Sequence, residues 1–246
     1  MRIRVCSGWN DRGSILYGQR FISTFDKLWP NSIELQVYTE TPEPLARNAC
    51  RSLWDCSGAR EFIERHRNNL AVHGREQLPG QRWKRNAITS GYNFKFDGFK
   101  FFRQIIVPKN AAQDMVDGDI LVWLDGDVVT TKQVPENFIP DLIGDADISY
   151  LGRVRSHSEI GYWSVRINDR TRMFLNEIAD MYMSDRFLKL TEWHSAFVHD
   201  TVRQSMKLRE RNLTPKGRGH VWLQSPLFKY TDHLKGDVRK RRGRSI

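Results

Sequence analysis

Asp117-Gly-Asp-Ile-Leu-Val-Trp-Leu-Asp-Gly-Asp-Val-Val-Thr-Thr131 decides how the rest of the chain is read. Ile120 to Leu124 is an unbroken apolar run with the length and composition of a strand buried on both faces, so a central strand of parallel type is expected there. Asp125, Gly126 and Asp127 follow at its C-terminal end. A surface hairpin would alternate polar and apolar residues, and this run does not. In an open α/β sheet ligands bind beyond that end of the strands. Two carboxylates one residue apart, with a glycine between them that lets another group approach, offer hard oxygen ligands suited to Mn²⁺ or Mg²⁺.

The 246 residues allow one large α/β domain or two small ones. No proline- or serine-rich linker marks a boundary, so one domain is expected. Cys6, Cys50 and Cys56 include no Cys-x-x-Cys pair, which argues against a zinc cluster or a disulfide framework and fits a reducing cytosol. The start, Met-Arg-Ile-Arg-Val, carries no apolar signal core, and no run approaches the roughly 18 to 20 apolar residues that cross a bilayer. A cytoplasmic protein without a membrane span is the expectation.

The net charge of +10 is concentrated in residues 51–86, 203–218 and 237–246. Three basic stretches predict a polyanionic partner, either nucleic acid or an anionic glycan. A generally basic, solubilising surface is the alternative.

The N-terminal third predicts a β-α-β unit. Ile3 to Cys6 is a short strand followed by a turn through Gly13, but Gly-x-Gly-x-x-Gly and Gly-Lys-Ser/Thr are both missing, so neither a dinucleotide site nor a P-loop is expected. Tyr17, Phe21, Phe25 and Leu28 recur at helical spacing until Pro30, and Glu34 to Tyr38 reads as the second strand, closed off by Pro42 and Pro44. The pattern weakens over residues 41–90. A helix is predicted over 59–69, then a long basic loop of the kind that serves as an insertion or lid. His66 and His73 read as surface residues.

Phe94 to Phe102 is dense in aromatics and carries Lys95 and Lys100. A helix there would aim both lysines at the C-terminal edge of the central strand, where they would meet a phosphate. Farther on, residues 146–151 read as a strand, 158–168 as a strand interrupted by Gly161, and 172–183 as a helix. Residues 191–200 concentrate Glu192, His194, His199 and Asp200; a helix would put Glu192, Ser195 and His199 on one face, with Thr191 as a possible cap. Glu192, His194 and Asp200 form the compact acid/base cluster of the C-terminal half and are candidate catalytic residues. Near the end, His233, Lys235 and Gly236 offer a metal ligand, a phosphate-binding cation and an accessible backbone amide.

Together these pieces resemble the GT-A nucleotide-sugar glycosyltransferases, especially the glycogenin-like and galactosyltransferase-like branch. The shared features are an apolar strand ending in Asp-x-Asp, an aromatic-rich basic helix before it and a His-x-x-Lys-Gly-like element near the C-terminus. The resemblance covers roughly residues 1–238, leaves 239–246 as a basic C-terminal tail and has no counterpart for 41–90. It implies a single Rossmann-like α/β domain with a mainly parallel central sheet flanked by helices. It implies that Asp125, Asp127 and His233 bind Mn²⁺ (or Mg²⁺) with the diphosphate of a nucleoside-diphosphate sugar, in this family most often a UDP-sugar. Lys100 resembles the donor-contacting cation of the preceding helix, and Lys235 with Gly236 the diphosphate-contacting loop. Glu159 and Gly161 fall on the donor-sugar strand, where Glu-Ile-Gly replaces the usual Asn-Ser-Gly-like sequence. The usual Asp-Gln pair is absent, and Glu192-Trp193-His194 occupies its region.

The implied reaction is metal-dependent transfer of a hexose or pentose to an acceptor hydroxyl, on a hydroxylated DNA base or on a glycan. Two other classes compete. Leu124-Asp-Gly-Asp-Val-Val129 also fits the motif of haloacid-dehalogenase-like phosphohydrolases, whose first aspartate attacks phosphorus. That fold opens with the motif and later adds Gly-Asp-x-x-x-Asp, whereas here Ser149 follows Gly144-Asp145 at the position of the second aspartate. A non-catalytic nucleic-acid-binding protein accounts for the basic stretches but not for an acidic pair on a buried strand.

Overall fold

The computed structural model describes residues 1–43, 45 and 49–243; Pro44 and Arg244 of the sequence reading lie outside them. The strands are β1 (Ile3–Trp9), β2 (Ile33–Thr39), β3 (Ala49–Ser52), β4 (Ile120–Leu124), β5 (Val128–Thr130), β6 (Ile148–Arg153), β7 (Ser156–Arg166), β8 (Glu210–Asn212) and β9 (Thr231–His233). The helices are α1 (Asp11–Gly13), α2 (Gln19–Leu28), α3 (Ala59–His66), α4 (Arg85–Ser90), α5 (Gly98–Ala111), α6 (Phe138–Ile143), α7 (Asp169–Met183), α8 (Ser195–Ser205) and α9 (Asp237–Arg242).

A seven-stranded sheet runs in the order β3-β2-β1-β4-β7-β6-β8. It is the expected α/β arrangement, mainly parallel: β1 is parallel to β2 and β4, β2 to β3, and β6 to β8. The central strand departs from the expectation on one side only, where β4 pairs antiparallel with β7, because β6 and β7 form a hairpin. β4 is buried along its whole length. Leu121 and Trp123 face a core layer with Phe102, Trp163, Phe174 and Tyr182. Ile120, Val122 and Leu124 face the opposite layer, with Phe25, Trp29, Leu142 and Trp222. This two-sided burial is why the run does not alternate. Each such large side chain contributes about 1.5–3 kcal/mol relative to an exposed one.

The predicted β-α-β opening is present. Phe21 and Phe25 form the buried face of α2, and the Phe25 ring stacks on Trp29 at 4.8 Å. Trp29 is extended, and with Pro30 behind it the helix ends at Leu28.

Described parts of residues 41–90 pack into the fold. β3 extends the sheet, and α3 packs Phe62 against Phe102 (4.1 Å, stacked) and Tyr182. The surface reading of His66 and His73 is overturned. His66 is buried between Phe62 and Phe187, with Nε2 2.7 Å from Asp185 Oδ1, and half-buried His73 stacks on Phe99 at 4.2 Å. Each ring presents an apolar face to neighbouring aromatics and a polar edge to one partner.

Outside the main sheet, β5 and β9 pair antiparallel, with Val128 opposite His233. This ribbon brings the C-terminal segment to the end of β4. Among the described residues, no helix is long and apolar enough to cross a membrane.

Candidate functional site

Asp125 is the first residue beyond β4, and its backbone N–H donates to Gly161 O on β7 at 2.9 Å. Two residues on, Asp127 is clamped to the ribbon, since its carbonyl accepts from Leu234 N at 3.0 Å. His233 is thereby set between the two carboxylates, with Nε2 3.0 Å from Asp127 Oδ1 and 3.6 Å from Asp125 Oδ2. One ligand atom from each of the three lies within 4.8 Å of the others.

The space for this arrangement comes from two glycines. A Cβ on Gly161 would stand 2.5 Å from His233 Cε1, and one on Gly126 would strike the Trp9 ring. The Asp-Gly-Asp glycine therefore serves to seat Trp9 and Tyr17 against the turn.

The electrostatics favour a cation. Burial, and then the charge of Asp127, raise the Asp125 carboxyl to about 6. Burial acts the same way on Asp127, but His233 and Lys240 outweigh it and bring that carboxyl down to about 2. Burial pushes His233 down, yet the two aspartates lift it above the ordinary imidazole value. Asp125 Oδ1 also accepts from Trp123 Nε1 and Gln104 Nε2, both at 2.9 Å.

Lys240, in the stretch read as a basic tail, belongs to the site. α9 carries it back over the turn, where Nζ stands 2.9 Å from Asp127 Oδ2 and 5.0 Å from the Tyr17 ring centroid. Arg20 Nη1 donates to its carbonyl at 2.5 Å. Beside it opens a cavity of about 480 Å³, lined by Arg12, Tyr17, Arg75, Lys100, Arg103 and Lys240 among others. Lys100 lines this cavity. Lys95 does not, because it lies in a short 3₁₀ turn ahead of α5 and pairs with Glu192.

Lys235 is ion-paired with Glu159, which also pairs with Arg153. Glu159 Oε1 lies 3.9 Å from His233 Nδ1, so this carboxylate backs the imidazole. Gly236 has φ 82°, a conformation that suits glycine as the chain turns into α9.

Residues 191–200 do not form one helix. α8 starts at Ser195 with His194 at its N-cap position, so Glu192 does not share a helical face with Ser195 and His199, and Thr191 is not the cap. Glu192 and His194 nevertheless meet, Oε2 to Nε2, at 2.8 Å, and His157 Nε2 is 3.4 Å from the same oxygen. Burial opposes ionisation of Glu192, but hydrogen bonds from His194 and Lys95 bring it down to about 2. Asp200 stands apart from this group. Its Oδ2 accepts from Ser158 N at 2.7 Å and its Oδ1 from Arg203 at 3.1 Å. Ser195 Oγ donates to Gln104 Oε1 at 2.5 Å, so Gln104 joins the N-terminus of α8 to Asp125.

His157, Gln104, Tyr17, Lys240, Arg12 and Arg103 are among the site residues that sequence reasoning missed. Only Lys240 carried a signal, its place in a cationic run, and that signal pointed to solvent.

Some arginines of the basic stretches are engaged by acidic partners. Arg203 is buried, paired with Asp200 and Glu210, and its guanidinium lies 3.9 Å from the Tyr150 ring centroid. Arg209 pairs with buried Asp147 at 3.1 Å, and Arg65 with Asp185 at 3.0 Å.

No known protein-family profile matches the sequence, and no curated protein matches it either. Solved structures do. A glycosyltransferase involved in the glycosylation of the major capsid of PBCV-1 superposes with a TM-score of 0.54 at 12% identity, covering 99% of this chain and 98% of that one. The apo form of the glycosyltransferase GlyE from Streptococcus pneumoniae TIGR4 covers 86% of this chain at 11% identity with a TM-score of 0.41, and this chain spans 45% of its length. At such identities the first match shows a shared fold, and the second adds no weight.

Proposed function

We propose that the chain transfers a sugar from a nucleoside-diphosphate sugar, a UDP-sugar foremost, to an acceptor hydroxyl, with Mn²⁺ or Mg²⁺ held by Asp125, Asp127 and His233. The observation that carries this reading is the convergence of those three side chains beyond β4, in a fold shared with a glycosyltransferase. The set fits a hard divalent ion. Two carboxylates and an imidazole face one point, and a cationic group, Lys240 Nζ, is already drawn to it. Once bound, such an ion supplies a Lewis acid that offsets charge developing on the departing diphosphate.

The chain's own residues supply the remainder. Arg12, Lys100 and Arg103 line the 480 Å³ cavity and would hold the diphosphate and nucleoside. Glu159, on the strand assigned to the donor sugar with Gly161, fixes Arg153 and also Lys235, which with Gly236 is assigned to the diphosphate. Glu192 on His194 Nε2 sets the ring's tautomer and leaves Nδ1 as the basic nitrogen that takes the acceptor's proton. Asp200, with both oxygens engaged, acts as a positioning residue at the start of β7. The free thiols of Cys6, Cys50 and Cys56 support a reducing compartment such as the cytosol.

The phosphohydrolase alternative needs Asp125 as a nucleophile, but its Oδ1 accepts two hydrogen bonds and its Oδ2 faces His233. The binding-protein alternative leaves the convergence of Asp125, Asp127 and His233 without a role.

The test is a screen of UDP-sugars for release of UDP, with and without Mn²⁺, on the wild-type protein and on Asp127→Asn. Metal-dependent release by the wild type alone is expected. Turnover by the variant at the wild-type rate, or none by the wild type with any nucleoside-diphosphate sugar, would overturn the assignment.

A further inference from the structure

A second cavity, of about 840 Å³, lies on the far side of the Glu192 cluster, between residues 78–96 and 188–193. Part of its wall comes from the segment that the family resemblance leaves without a counterpart. Its surface has two characters. Leu78, Phe94 and Leu188 are large apolar side chains left 37%, 51% and 36% exposed, and all three line it. Behind them Phe96 packs edge-on against Trp193 at 5.2 Å and stacks with Trp83 at 6.4 Å, so the floor is rigid and aromatic. Arg82, Lys84, Lys95 and Lys189 line the same cavity, with Glu192 as its only carboxylate.

Glu192 ties this cavity to the chemistry. It lines the cavity and also carries His194, His157 and Lys95. From there the chain of contacts through Ser195 and Gln104 reaches Asp125. A molecule lying in the cavity would meet Glu192, whose carboxylate holds His194 and His157 on its other side.

We propose that this cavity is the acceptor site and that the acceptor is a short acidic oligosaccharide. The inference rests on the glycosyl-transfer reading above. The volume is that of a ligand pocket rather than a groove for a duplex. The C–H faces of sugar rings pack on exposed aromatic and aliphatic side chains such as Phe94 and Leu188, while carboxylate, sulfate or phosphate substituents meet Arg82, Lys84 and Lys189, Lys95 being paired with Glu192. Duplex DNA is engaged over an extended cationic surface, whereas this cavity is a bounded pocket lined by a few cations.

The experiment is calorimetric titration without donor, so that it reads binding whether or not transfer occurs. The probes are tetragalacturonate, maltotetraose and a 20-base-pair DNA duplex. The proteins are the wild type, Phe94→Ala and the double variant Lys84→Glu/Lys189→Glu, all altered at exposed positions. Tetragalacturonate is expected to bind the wild type, and to bind each variant about tenfold or more weakly, while Mn²⁺ affinity stays unchanged as a check on folding. Equal binding of maltotetraose, stronger binding of the duplex, no binding of tetragalacturonate, or variants that bind it like the wild type would each overturn the proposal. Failure of the UDP-sugar screen would instead overturn the transferase reading.

Discussion

Lys240 Nζ stands 2.9 Å from Asp127 Oδ2, on the carboxylate whose other oxygen is 3.0 Å from His233 Nε2. A divalent ion held by Asp125, Asp127 and His233 would therefore meet a resident ammonium group. Lys240→Met, which keeps the aliphatic stem, should tighten Mn²⁺ binding a few-fold to about tenfold, the range of an ion pair worth about 1 kcal/mol. Titration calorimetry with Mn²⁺ alone checks it, and weaker binding by the variant would mean that Lys240 supports the ion instead of competing with it.

Asp127→Asn keeps the shape of the turn and removes one charge from the triad. Mn²⁺ affinity should fall at least about 100-fold while the melting temperature stays within a few degrees, because the residue lies beyond the strand and outside both core layers. Wild-type Mn²⁺ affinity in a folded variant would remove Asp127 from the metal site.

Gly161→Ala reaches the same site without changing a ligand. The new methyl group would overlap His233 Cε1, and the imidazole has to move away from the aspartates. The expected result is lost Mn²⁺ affinity with about 1–3 kcal/mol of destabilisation. A crystal structure of the variant should show His233 displaced; an unmoved ring with wild-type affinity would contradict the packing account.

Acid stability should follow His199 and Asp200. Burial lowers His199 below the ordinary imidazole value. Burial opposes ionisation of Asp200, but His199 at 3.7 Å and the Ser158 amide hold its carboxyl well below the usual range. In both cases the folded value lies under the unfolded one, so the unfolded chain binds more protons as the pH falls. The contribution of this pair is whole above about pH 6.5, declines first as His199 is titrated, and declines again below about pH 4 as the pH drops toward the folded value of Asp200. Asp200→Asn should shrink the second decline, to which Asp127 and Glu192 also contribute, and cost about 3 kcal/mol at pH 7, since Arg203 loses a buried partner. Melting curves from pH 8 to 3 decide; a variant with an unchanged acid limb would free Asp200 of this role.

The central strand was legible because β4 is buried on both faces, which leaves no polar gaps from Ile120 to Leu124. The likeness of Asp125, Asp127 and His233 to a known motif could be stated from sequence, but their meeting could not be derived from it. It depends on the β5–β9 ribbon, whose three-residue strands carry almost no periodic signal. His66 and His73 were misplaced for a related reason, since their burial comes from aromatic neighbours such as Phe187 and Phe99 that are distant or irregularly spaced in sequence. Lys235 matched a phosphate-contacting pattern while its partner, Glu159, lies 76 residues away. Charge neutralisation of that kind is invisible until the fold is known.

The ribbon also sets an order of events during synthesis. Asp127 and His233 are 106 positions apart, so β1, β2, β4 and the β6–β7 hairpin can leave the ribosome and pair well before the imidazole emerges. The two aspartates would wait as a buried acidic pair until β9 closes on β5. A metal held by these residues would arrive at a sheet that is already built, so chelators present during translation should leave the yield of folded protein intact.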